Sequence, residues 1–182
     1  MGRVWNEIDS KLKEFIESSP VFFVATAPLS KNGHINCSPK GNRGELVVLS
    51  QRSVAYLDQT GSGIETVSHL NENGRITLMF CAFVGPPRIV RIHGIGTVIK
   101  RDEPSFAEMI NHFKDPAAIG ARSIVVIESE QVSDSCGYGV PLMDFVSHRD
   151  QMNDWASRKG EDGIREYWVE KNQTSIDGLP GL

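Results

Sequence analysis

Hydrophobic and polar positions change period several times along this chain, and each change marks an element. Trp5, Ile8, Leu12, Phe15 and Ile16 recur every three to four residues, which predicts an amphipathic helix from Val4 to Glu17, closed by Pro20. Val21 to Ala27 reads as a β-rich strand. Lys31-Asn32-Gly33 reads as a tight hairpin turn, with Asn-Gly supplying positive φ angles, and His34 to Ser38 returns. After a loop at Pro39 to Gly44, Glu45 to Leu49 and Ser53 to Asp58 form two more strands, turning at Gln51-Arg52. Arg75 to Phe83 is almost continuously apolar, as in a strand covered on both faces, and Gly85-Pro86-Pro87 stops it. Arg88 to Lys100 alternates. A helix at Glu103 to Phe113, a strand at Ser123 to Ile127 and helical segments at Gln151 to Lys159 and Asp162 to Lys171 complete the order.

Six or seven strands joined by tight turns, with few helices between them, predict a mainly β (α+β) fold built as an antiparallel barrel or meander. Strict βαβ alternation is missing, which excludes a doubly wound parallel sheet. The reading is one domain over 1–182, with the N-terminal helix at 4–17 and a helical C-terminal tail at 149–182.

Composition removes several classes. A net charge of -4 without a basic stripe argues against a nucleic-acid partner. No apolar run approaches a membrane span, and no signal-peptide core stands at the N-terminus. The three cysteines, Cys37, Cys81 and Cys136, are widely spaced, and none lies in a CxxC, so neither a disulfide framework nor structural zinc is expected. The five histidines show no metal-ligand spacing. These features read as a reducing, cytoplasmic compartment, in which the sequon at Asn172 is a chance match.

The chemistry concentrates between Tyr56 and Phe80. A strand breaks at Thr60-Gly61-Ser62-Gly63, a short helix follows, and Asn73-Gly74 stops it before the next strand. Glycines at a strand-to-helix turn let the backbone approach an anion, and the helix start presents unpaired N–H groups with a partial positive charge. A phosphorylated cofactor is one reading. The other is a capping box, in which Ser62 and Glu65 satisfy the helix's own donors and bind nothing. From the loop alone the capping box has the edge.

The strand order, together with Val24-Ala25-Thr26-Ala27, Asn32-Gly33-His34 leading to Cys37-Ser38-Pro39-Lys40-Gly41, and Glu72 to Leu78, resembles the pyridoxamine 5'-phosphate oxidase-like family of FMN-binding split barrels. The likeness runs from about Phe22 to Lys100. It implies an antiparallel split β-barrel with flanking helices, a homodimer, and FMN in a groove between subunits. Carried over by position, the cofactor-binding residues are Asn36, Cys37, Ser38, Pro39 and Lys40, then Thr60, Gly61, Ser62, Gly63 and Thr66. Members of the family carry Arg-Lys in the first turn of the helix, where this chain has Glu65-Thr66. The cation for a phosphate is then sought at Lys40, Arg43, Arg52 or Arg75. The family's basic Arg-Leu tail is also missing, since this chain ends Gly178-Leu179-Pro180-Gly181-Leu182.

Other candidates read as structural. Arg88 and Arg91 are outward charges of a sheet, His69 is a helix residue, and the Cys136 loop is a connection or a cover over the site. No catalytic constellation assembles by spacing, as suits flavin chemistry, where the cofactor carries the electrons. Two readings stand. One is an FMN-dependent oxidoreductase acting on a small molecule. The other is a non-enzymatic split barrel that binds flavin weakly, or a deazaflavin or haem.

Overall fold

A computed structural model describes residues 2–114 and 118–182. Its strands are β1 (Val4–Trp5), β2 (Phe22–Thr26), β3 (Asn36–Lys40), β4 (Leu46–Val48), β5 (Ser53–Gln59), β6 (Arg75–Cys81), β7 (Ile89–Lys100) and β8 (Ala121–Ser135). Its helices are α1 (Ser10–Ser18), α2 (Glu65–Asn73), α3 (Pro104–Met109) and α4 (Gln151–Lys171). The strands form one antiparallel sheet in the order β3-β2-β6-β7-β8-β5-β4, with β1 paired to β8, curled into the half-barrel of a split-barrel protein.

Alternation explains the curl. Phe22 and Val24 of β2, Ile76, Leu78 and Phe80 of β6, and Val90 and Ile92 of β7 point to one side, where α1 adds Leu12 and Ile16. Leu57, Ala121 and Ile124 point the other way, under Phe106 and Phe113. Strands β7 and β8 are long because each keeps a partner on both sides. The far end of β8 is held by β7 and by β1, where Val4 opposes Ser133 and Trp5 opposes Val132.

Three local expectations change. Val4 and Trp5 are strand rather than helix, because their backbone groups are taken by β8. The helix starts only at Ser10, where Asp9 caps it by accepting from the Leu12 N–H at 2.8 Å. The turn between β2 and β3 closes from Gly33 N to Ser30 O, and Gly33 is not among the positive-φ glycines. It belongs to a longer loop fixed from outside, by Glu72 on the Leu29 N–H and Asp177 on the His34 N–H, each at 2.7 Å. The strand expected to end at Ile127 continues to Ser135 for the pairing reason just given. The break expected in the C-terminal helix is real, and Gly160 sits there with φ 68°. Among the described residues no helix is long and apolar enough to cross a membrane.

The start of α1 is testable. Asp9→Ala should lower stability by about 1 kcal/mol in urea unfolding, the usual loss of an N-cap. In a helix running from Val4, Asp9 would be interior and alanine would stabilise. Unchanged or increased stability would contradict the cap.

Candidate functional site

Strand β3 alternates, so Asn36, Ser38 and Lys40 face inward while Cys37 faces out. Beside it β5 ends in a bulge at Asp58/Gln59, and the chain then turns through Thr60–Gly63 into α2. Between these elements lies a cavity of about 280 Å³. Of the predicted site residues, Asn36, Ser38, Pro39 and Lys40 line it from β3, and Thr60, Gly61, Gly63 and Thr66 from the loop and helix start. Cys37 and Ser62 do not: Cys37 is on the far face of its strand, and Ser62 is exposed at the loop tip.

The pocket is organised on one buried carboxylate. Asp58 is fully buried, and its Oδ1 accepts from Lys40 Nζ at 2.8 Å while its Oδ2 accepts from Arg122 Nε at 2.7 Å. Ser123 Oγ donates to the same Oδ2 at 3.3 Å. Burial alone would push this carboxyl up, but the Arg122 guanidinium and the Lys40 ammonium hold it well below the usual carboxylate range. Arg122 also donates to Gly61 O and to Asn172 Oδ1. Sequence reasoning missed Arg122, which is 4% exposed at the start of β8 and lines the cavity. A charged residue opening a buried strand was the available signal, since such a charge needs a partner.

The helix start is not a capping box. The N-cap position is Ile64, with no side-chain cap bond, so Ser62 and Glu65 do not pair. Glu65 instead accepts from the Ile176 N–H of the C-terminal tail at 3.3 Å, and its other oxygen lies over Gly63. The tail holds the loop as well: Asn172 Nδ2 donates to Gly61 O at 2.9 Å. Thr60 Oγ1 donates to Gly120 O at 2.7 Å and accepts from Trp168 Nε1 at 2.8 Å. Thr60 and Gly61 are therefore anchors of the loop. Glu65 and Thr66 of the first turn of α2 line the pocket, and the N–H groups of a first helical turn have no intrahelical partners. The sequon residue Asn172 is fully buried in this latch.

A polar chain orients the β3 side. Ser38 Oγ donates to Asn36 Oδ1 and Asn36 Nδ2 to Thr66 Oγ1, both at 2.9 Å. Behind them Thr26 Oγ1 meets His69 Nδ1 at 2.9 Å; His69 is fully buried, and that burial lowers its pKa and favours the neutral ring. Glu45 lines the cavity at 3% exposure, and burial pushes its carboxyl up to about 6 against the lowering effect of bonds from Asn42 and Gln59 and the charge of Lys40.

The other proposed cations lie elsewhere. Arg43 lines separate surface cavities, Arg52 is exposed, and Arg75 bonds Asn73 Oδ1 at 3.2 Å. Arg88 is structural: it pairs with Asp134 at 3.3 Å and lies over the Trp5 and Phe15 rings. Arg91 bonds Ser135. The Cys136 loop packs Gly137 against the Arg88 backbone and does not line the pocket.

The family model described as pyridoxamine 5'-phosphate oxidase matches residues 8–136, a span that includes every pocket residue named above except the tail. A relative in Aspergillus flavus, pyridoxamine 5'-phosphate oxidase family protein ustO, is 38% identical over 194 residues, covering 98% of this chain and 77% of its own. Among solved structures, Group A Streptococcus HupZ superposes with TM-score 0.52 at 16% identity, over 69% of this chain and 91% of that one. An FMN-binding protein from Syntrophomonas wolfei superposes with TM-score 0.50 at 13% identity, over 68% and 86%. At these identities the two structures speak for the shared fold alone. The model match over most of the chain and the relative along nearly all of it go further, and with the split barrel they place this chain in the pyridoxamine 5'-phosphate oxidase family.

Proposed function

We propose that the chain is an FMN-dependent oxidoreductase, a cytoplasmic homodimer acting on a small organic substrate. The observation that supports this most is the pair of cations, Lys40 and Arg122, converging on the single carboxylate of Asp58 beside the N-terminus of α2. The donor set fits a phosphate monoester. Two cations, the Thr66 hydroxyl and unpaired helix N–H groups reach one cavity, with Asn36 and Ser38 holding each other in place. Bound there, FMN supplies two-electron exchange with the substrate. A single anion site without a dinucleotide fingerprint supports FMN over FAD. Three free cysteines suit a reducing cytoplasm.

One observation favours the second reading, a split barrel that binds flavin weakly and catalyses nothing. Glu45 and Glu65 also line the cavity and offset the cations. The apolar face of α1 is not free for a homodimer contact, since Leu12 is buried in the chain's own core. Ile35, Val84, Ile95 and Phe145 are among the exposed apolar side chains available to a two-fold contact, which needs about 1,000 Å² in total.

FMN titration of the full chain at fixed low salt tests the site. Lys40→Ala should weaken binding roughly tenfold, and Glu65→Arg should strengthen it by a similar factor. Equal affinities across wild type and both variants would remove the phosphate from this pocket. A wild type that takes up no FMN at micromolar concentration would leave only the second reading.

Glu45 gives a prediction whose sign follows from its raised pKa. The folded state holds this proton more tightly than the unfolded state, so stability is lost as pH rises from the ordinary Glu range through about 6. Glu45→Gln should therefore stabilise the protein at pH 7.5 by up to about 2 kcal/mol, with the gain gone near pH 4. A gain that does not change with pH would contradict this account.

The oligomer is read by light scattering. The expected mass is twice the 20.1 kDa of the chain, and a monomer at micromolar concentration would overturn the dimer.

A further inference from the structure

Helix α4 is two arms joined at Gly160, whose φ of 68° and ψ of 174° break the helical path. Trp155 and Tyr167 lie on opposite arms, twelve positions apart, which a straight helix would separate by about 18 Å. The bend brings them together, and their rings meet edge to face with centroids 5.2 Å apart and planes at 78°. Glycine is required at this joint, because L side chains rarely adopt its backbone angles. The second arm is pinned by Trp168 Nε1 on Thr60 Oγ1, so the ring pair is fixed relative to the pocket loop.

Trp155 and Tyr167 form the aromatic wall of a second cavity of about 570 Å³, well within the size of small-ligand sites. Asn42, Thr60, Gly61 and Met152 belong to both cavities, so the aromatic bay opens directly beside the anion pocket. Arg149 stands at the bay, and among the described residues no carboxylate lines it. The residues that make the aromatic wall lie beyond 136, outside the span that matches the family model. The wall of the bay therefore comes from the part of the chain that follows that match.

We infer that the kinked C-terminal helix forms a substrate subsite for a planar aromatic ring, neutral or anionic, held against Trp155 and Tyr167 beside the flavin. Aromatic faces and the Met152 thioether favour a flat, polarisable ring over a saturated one. Arg149 in the lining disfavours a cation and favours a carboxylate or phenol on the ring. This inference rests on the flavin reading for the identity of the neighbouring pocket, but the bay is defined by its own residues.

The test uses calorimetry on the full chain, with and without saturating FMN. The probes are 4-hydroxybenzoate, indole-3-carboxylate, cyclohexanecarboxylate and benzylamine. The two aromatic acids should bind at least roughly fivefold tighter than the saturated acid or the amine. Trp155→Ala and Tyr167→Ala should each abolish that preference while leaving FMN affinity within about twofold, and Trp155→Phe should restore it. Circular dichroism establishes that each variant is folded. Equal binding of aromatic and saturated acids, or a preference that survives both alanine variants, would overturn the inference. So would competition between the aromatic acids and FMN, which would give the bay to the flavin ring. If wild type binds no FMN, the flavin reading fails by itself, and the probe titrations without FMN still decide the bay.

Discussion

The site depends on how one buried charge is satisfied. A carboxylate with no exposure is tolerable only when its charge is met by cations and its lone pairs by donors. Asp58 meets that requirement through Lys40 on β3, and Arg122 and Ser123 on β8, so three strands converge on one side chain. Removing either cation leaves Asp58 with one cationic partner, whereas removing Asp58 leaves two facing cations without a counter-charge. The same arrangement aims two cations at one place beside a helix N-terminus, so on the proposed reading architecture and anion binding share a cause.

Charge in this pocket is distributed differently from the family pattern. The first turn of α2 carries an acid where a basic pair is usual, and cationic charge comes instead from neighbouring strands. Lys40 and Arg122 are held by Asp58, which would reduce the entropy lost on binding the proposed anion. Their charge is partly neutralised by Asp58, and Glu45 and Glu65 reduce it further. The raised pKa of Glu45 limits this opposition, because a group near 6 takes up a proton readily when an anion arrives. On the proposed reading, such a pocket would give moderate, pH-sensitive anion affinity rather than a permanent positive field.

The C-terminal segment does work that the family's core does not cover. Asn172 fixes the Gly61 carbonyl and Arg122, Trp168 fixes Thr60, and Ile176 holds Glu65 back from the helix start. The loop that resembles a self-contained helix cap is thereby a product of residues more than a hundred positions away. Its geometry follows the tail, and so does the aromatic wall beside it.

Local sequence patterns by themselves determined all strands but β1 in outline, the antiparallel barrel class, the glycine stop at Gly74 and the break in the last helix. These follow from side chains that repeat every two or 3.6 residues and from the few residues able to take special backbone angles. The inward positions of Asn36, Ser38 and Lys40 were legible for the same reason. Only the tertiary structure decided what each polar group does. Arg122 reaches Asp58 across 64 positions and Asn172 reaches Gly61 across 111, separations at which no local pattern carries information. The capping box failed because α2 begins at Glu65 with Ile64 at its N-cap, and Val4–Trp5 became strand because an open stretch of β8 offered hydrogen bonds. A sequence specifies which groups need partners, and the fold alone settles which partners come within reach.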